Sequence, residues 1–89
     1  MHKDWPQMAA ELNGAIKEVR LGTPEVMTAF SAMAEAATKA GALDVKTKEL
    51  IALAISVAIR CDGCVAFHAK AAVKKGATRD EVMETMGMA

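Results

Sequence analysis

Residues 50–59 read Leu-Ile-Ala-Leu-Ala-Ile-Ser-Val-Ala-Ile, an apolar run with no charge in it. As a helix, this segment is apolar on every face, and such a helix is buried on all sides. A chain of 89 residues with four or five short helices has little to cover it with. The run therefore predicts a central helix covered by other helices and by another subunit. A buried strand over 51–59 is the competing reading. The alanines within the run and the lack of turn signals argue against it. At ten residues the run is far short of the roughly 20 needed to cross a bilayer.

The rest of the chain reads as helix built around that segment. Alanine and methionine carry much of the 53% hydrophobic content, and aromatic residues are only 3%, so strand formers are thin outside the central run. A first helix is expected over residues 6–20, with Met8, Leu12, Ile16 and Val19 at helical spacing and Gly22 closing it as C′. Residues 1–6 read as a polar lead-in with a solvated His2. Trp5 is expected to pack at the first helix start or at a subunit contact. A second helix is expected to open with Thr23 as N-cap and Pro24 at its first position, and to end at Gly41. Its apolar stripe holds Val26, Met27, Phe30, Met33, Ala34 and Ala37, read as core or interface filler.

The third helix begins after Asp44 as N-cap. Asp62-Gly63 is expected to break or kink it. A fourth helix then carries Cys64, Val65, Phe67, His68, Ala71 and Ala72, and Gly76 stops it. Thr78-Arg79-Asp80-Glu81 reads as a capping box opening a fifth. One small domain over residues 1–89 follows, with no internal repeat or linker.

Positive and negative charges are equal, 11 each, and form no basic stripe, so nucleic acid is not an expected partner. The first six residues hold no apolar segment of the kind a signal peptide needs. A cytoplasmic protein away from membranes is expected. In a reducing compartment a Cys-x-x-Cys pair points to catalysis, redox exchange or metal rather than to a permanent staple. A disulfide closing so short a loop stabilises little.

The chemistry gathers at Arg60-Cys61-Asp62-Gly63-Cys64-Val65-Ala66-Phe67-His68. Cys61 and Cys64 are three apart, which on a helix-entry turn puts their Cβ atoms about 5–6 Å from each other. That is within reach of a disulfide after a small backbone adjustment, and Gly63 supplies some of it. His68 lies four residues beyond Cys64, on the same face. It can take the Cys64 proton or stabilise the thiolate. The positive end of the fourth helix, and Arg60, favour the anion as well. Cys64 is thus the better candidate for the nucleophile, and Cys61 is placed to resolve it.

Glu49 lies twelve residues before Cys61, about 18 Å along one straight helix. It reaches His68 only if two helices fold against each other or if it comes from another chain. It would then orient the imidazole. The plainer reading is a first-turn Glu favoured by the helix dipole. Three other readings compete for the cysteines. They are incidental buried thiols, a zinc site with three ligands where structural zinc takes four, and a thioredoxin-like motif, which expects a βαβ context absent here.

Glu49, eleven residues, Cys61-x-x-Cys64, three residues, His68: this pattern resembles the carboxymuconolactone decarboxylase family, in particular its AhpD-like alkylhydroperoxidase branch. The flanks agree, with Leu43-Asp44-x-Lys46-Thr47-Lys48-Glu49-Leu50 before the motif and residues 71–76, then Thr78-x-x-Glu81, after it. The resemblance covers about residues 24–88. It implies an all-α bundle of about five antiparallel helices, completed by oligomerisation as dimers and as a trimer of dimers. It implies a peroxidatic Cys64, a resolving Cys61 and a proton relay through His68 and Glu49. Substrates would be organic hydroperoxides, and the electron donor a dithiol, with lipoyl-carrying proteins among the partners of such enzymes. No cofactor and no metal are expected.

Two departures stand out. The protein that gives the branch its name carries a histidine just before its peroxidatic cysteine, where this chain has Gly63, so the relay loses one member. The family also continues with a Gly-rich turn and a last helix beyond the position of Ala89. Two alternatives stay beside the peroxidase reading: a decarboxylase-like lyase using Glu49 and His68, and a non-enzymatic, metal-binding oligomer.

Overall fold

The computed structural model describes residues 2–89. Five helices follow one another: α1 (Trp5–Gly22), α2 (Pro24–Thr38), α3 (Val45–Ala58), α4 (Asp62–Lys74) and α5 (Arg79–Met88). No strand occurs among the described residues. The all-α expectation holds.

The starts of α1, α3 and α5 are set by side chains that satisfy orphan N–H groups. Asp4 accepts from the Gln7 N–H at 3.0 Å and Asp44 from the Thr47 N–H at 2.7 Å. Thr78 and Glu81 form the reciprocal capping box expected for α5, at 3.1 and 2.8 Å. Helix α1 begins at Trp5, earlier than the expected Pro6, because Asp4 caps it. Its far end also differs. Gly22 is the last helical residue and not a C′ glycine, and Thr23 ends α1 as it precedes α2. The Thr23 hydroxyl donates back to the Val19 carbonyl at 2.9 Å and makes no cap bond to α2. Helix α2 ends at Thr38, not at Gly41. Lys48 on α3 donates its ammonium to the Ala37 and Lys39 carbonyls and so satisfies that end.

The break between α3 and α4 falls at Arg60, not at Asp62-Gly63. The Cys61 N–H donates to the Ser56 carbonyl at 3.0 Å and the Arg60 N–H to the Val57 carbonyl at 3.2 Å. With Arg60 left-handed at φ 60°, this is a Schellman ending. Asp62 and Gly63 form the first turn of α4. Helix α4 closes the same way, on Gly76 at φ 91°. There the expected glycine supplies the positive φ at little cost.

Helices α3 and α4 thus form an antiparallel hairpin, the most extensive packing in the chain. Helix α1 packs on the outside of α4, and α5 lies along α3, tied to it by Lys46–Glu81 at 2.8 Å. The buried apolar residues are Ala9, Leu53, Ala66 and Ala72. The central run is not buried on all sides within the chain. Leu53 and Ser56 are buried, but Ile51, Ile55 and Ile59 are 45%, 55% and 66% exposed. The stripe of α2 is bare as well, with Val26, Phe30 and Met33 all more than half exposed.

Candidate active site

The α3–α4 hairpin brings the four sequence-predicted site residues to one place. Cys61 occupies the N-cap of α4, and Cys64 stands in its first turn. A disulfide joins them, with their Cα atoms 5.2 Å apart. Cys61 does more than pair. Its sulfur accepts the Cys64 N–H at 3.2 Å, in the place of the usual Ser, Thr or Asp oxygen. The sequence reading missed this role, although a polar atom followed by Asp62 in a new first turn is the signal of a cap.

One turn further on is His68. Its Nδ1 lies 2.8 Å from Oε2 of Glu49, nineteen residues earlier in the same chain. The Glu49 side chain is 9% exposed and the His68 side chain 35%. A carboxylate so buried needs a partner, and the imidazole is that partner. With Glu49 ionised, Nδ1 carries the hydrogen and donates it. Nε2 is then left free to exchange a proton. The helix-terminal reading of Glu49 gives way to a paired one because α3 and α4 fold against each other, so the 18 Å along one helix never has to be crossed.

Arg60 serves the turn. It is exposed, and with Trp5, Asp62, Val65 and Met86 it lines a cavity of about 470 Å³ on the α5 side of α4. Trp5 does sit at the start of its helix, 37% exposed against that cavity. His2 is exposed. Leu12 of α1 lies over Gly63, where a Cβ would come within 2.9 Å of the Leu12 Cδ1. No group of three or more His, Cys, Asp and Glu side chains converges as a metal cluster among the described residues. No helix among them is long and apolar enough to cross a membrane.

The profile of the carboxymuconolactone decarboxylase family matches residues 24–89, which take in the whole of α2 to α5 and all four site residues. The chain belongs to this family. An uncharacterised protein of Cupriavidus necator is 35% identical over 99% of the chain, and one of Haemophilus influenzae 37% identical over 81%. A protein encoded in the cox locus of Paracoccus denitrificans is 34% identical over 86%. The chain spans 78%, 64% and 69% of the lengths of these three relatives. A crystal structure of an apo carboxymuconolactone decarboxylase family protein from Legionella pneumophila superposes with a TM-score of 0.91 at 49% identity. That match covers 94% of this chain and 75% of the Legionella one. The Cys61–Cys64 pair is consistent with the AhpD-like branch of the family.

Proposed function

We propose that this family member is a thiol-dependent peroxidase that reduces organic hydroperoxides through Cys61 and Cys64, with His68 and Glu49 relaying the proton. The observation that carries this reading is the Glu49–His68 hydrogen bond one helical turn from a disulfide-bonded Cys-x-x-Cys. A buried carboxylate that orients a histidine beside a thiol is the arrangement of an activated nucleophile.

In the reduced protein His68 takes the Cys64 proton, and Glu49 stabilises the imidazolium. The Cys64 thiolate attacks the terminal peroxide oxygen, and the O–O bond breaks. The leaving alkoxide takes the proton back from His68 and departs as the alcohol, while Cys64 becomes a sulfenic acid. The Cys61 thiol then displaces hydroxide, water leaves, and the disulfide forms. An external dithiol restores both thiols by exchange and is itself oxidised to a disulfide. A lipoyl-carrying protein has the chemistry of that donor. The reaction belongs in a reducing cytoplasm, and the working form in a homo-oligomer, a trimer of dimers.

The test is a free-thiol count on reduced protein before and after one equivalent of tert-butyl hydroperoxide. Loss of two thiols per chain, abolished in Cys64→Ser, is the expected result. Unchanged thiols would sink the peroxidase reading. Glu49 and His68 would also serve a lyase, which needs no cysteine. Decarboxylation that survives Cys61→Ser/Cys64→Ser would favour that alternative.

A further inference from the structure

An open cavity of about 690 Å³ lies where the end of α2, the start of α3 and the end of α4 meet, and Glu49 lines it. Ala32, Ala36 and Ala40, all exposed, and the half-buried Val45 give it an apolar lining. Lys39 and Lys75 stand at its edge. Both are exposed, and neither has an ion-pair partner among the described residues. A third ammonium, that of Lys48, is spent on the Ala37 and Lys39 carbonyls, so it offsets the negative end of α2. Glu35 is the one lining acid besides Glu49.

The cavity also lies in line with the cysteines. Cys64, His68, Ala71 and Lys75 are spaced four, three and four apart, which makes one stripe along α4. Lys75 is about 16 Å from Cys64 along the helix axis at 1.5 Å per residue. The Trp5 cavity, by contrast, lies on another face of α4.

We propose that this cavity holds the carboxylate end of the substrate, so that the chain reduces long-chain organic acids carrying a hydroperoxide part-way along the chain. The proposal rests on the peroxidase reading of the same site. Lys39 and Lys75 take the carboxylate, and the lining alanines meet the first part of the hydrocarbon. The chain runs along the α4 stripe past His68, and the peroxide comes to Cys64. A short neutral hydroperoxide leaves the cavity unused.

Ricinoleate, a long-chain acid with a mid-chain hydroxyl, resembles the alcohol product and cannot oxidise a thiol. Calorimetric titration of the Cys64→Ser protein should show it binding about tenfold tighter than its methyl ester, the scale of two partly exposed ion pairs. Lys39→Met/Lys75→Met should abolish that preference, and so should Ala36→Glu, which adds a negative charge to the cavity lining. Equal binding of acid and ester, or a preference that survives the double variant, would overturn the proposal. Should tert-butyl hydroperoxide consume the thiols of the wild type while ricinoleate shows no preference, the cavity assignment alone falls. Should ricinoleate bind as expected while no hydroperoxide consumes thiols, the peroxidase reading falls and the substrate assignment with it.

Discussion

Glu49 sets the state of the imidazole it touches. An ionised Glu49 accepts the hydrogen of His68 Nδ1 and leaves Nε2 for exchange. Glu49→Gln keeps the shape but removes the charge, and its amide can donate to Nδ1 and reverse the tautomer. Stopped-flow thiol oxidation should slow by about a hundredfold, the lower range for losing a positioned acid–base group, with helicity by circular dichroism unchanged. Gly63 is the other decisive residue. Its missing side chain lets Leu12 seat α1 against the first turn of α4. Gly63→His must push Leu12 aside and should cost about 1–3 kcal/mol in urea unfolding, the usual range for overpacking. In the double variant with Leu12→Ala the two costs should sum to more than the measured loss, since the residues are in contact.

At the scale of elements, caps and ion pairs hold the helices in register, Lys46–Glu81 between α3 and α5 among them. The Lys46 hydrogen bond, followed by that from the Thr78 backbone, holds the Glu81 carboxyl below its ordinary range, and the same bond to Glu81 raises the Lys46 ammonium. A depressed carboxylate contributes stability that is present above its unfolded pKa and lost as pH falls through the folded one. A raised lysine contributes stability present below its unfolded pKa and lost as pH rises through the folded one. The α3–α5 tie is therefore complete between the carboxylate and lysine ranges. Denaturation midpoints should fall on acidification through the carboxylate range, and less so in Glu81→Gln, which carries no titrating group at this position. Helix α1 offers a simpler test. Gly14 is interior to it and exposed, and a Cβ there meets nothing within 4 Å. Gly14→Ala should raise stability by about 0.8–1 kcal/mol, measured by urea unfolding.

The whole molecule is a slab, 40 × 39 × 22 Å, with a radius of gyration of 13.8 Å. A compact chain of this length should measure about 12 Å. Among the described residues no large side chain is fully buried, and the buried apolar residues are three alanines and a leucine. The surface meanwhile carries Phe30 and Met33 on α2 and Ile51, Ile55 and Ile59 on α3. Faces this apolar are rarely left bare by a monomer. We predict a homo-oligomer whose melting temperature rises with protein concentration. Light scattering that returns the 9.4 kDa mass of one chain would refute it.

Signals that act over a few residues were legible along the chain. Asp44, Thr78 and Gly76 mark where α3 and α5 begin and where α4 ends, because a cap or a stop acts over three or four residues. Cys61, Cys64 and His68 were legible as one face for the same reason. Arg60 was not legible as the turn, since an arginine at positive φ carries no turn signal, and the Asp62-Gly63 beside it carries a strong one. That Glu49 meets His68 within one chain came from the packing of α3 on α4, because it depends on how the hairpin reverses. Packing likewise put Leu12 over Gly63 and opened a cavity with two lysines at Glu49. Each of these joins residues far apart in sequence, and helix packing, not spacing along the chain, sets the distances between them.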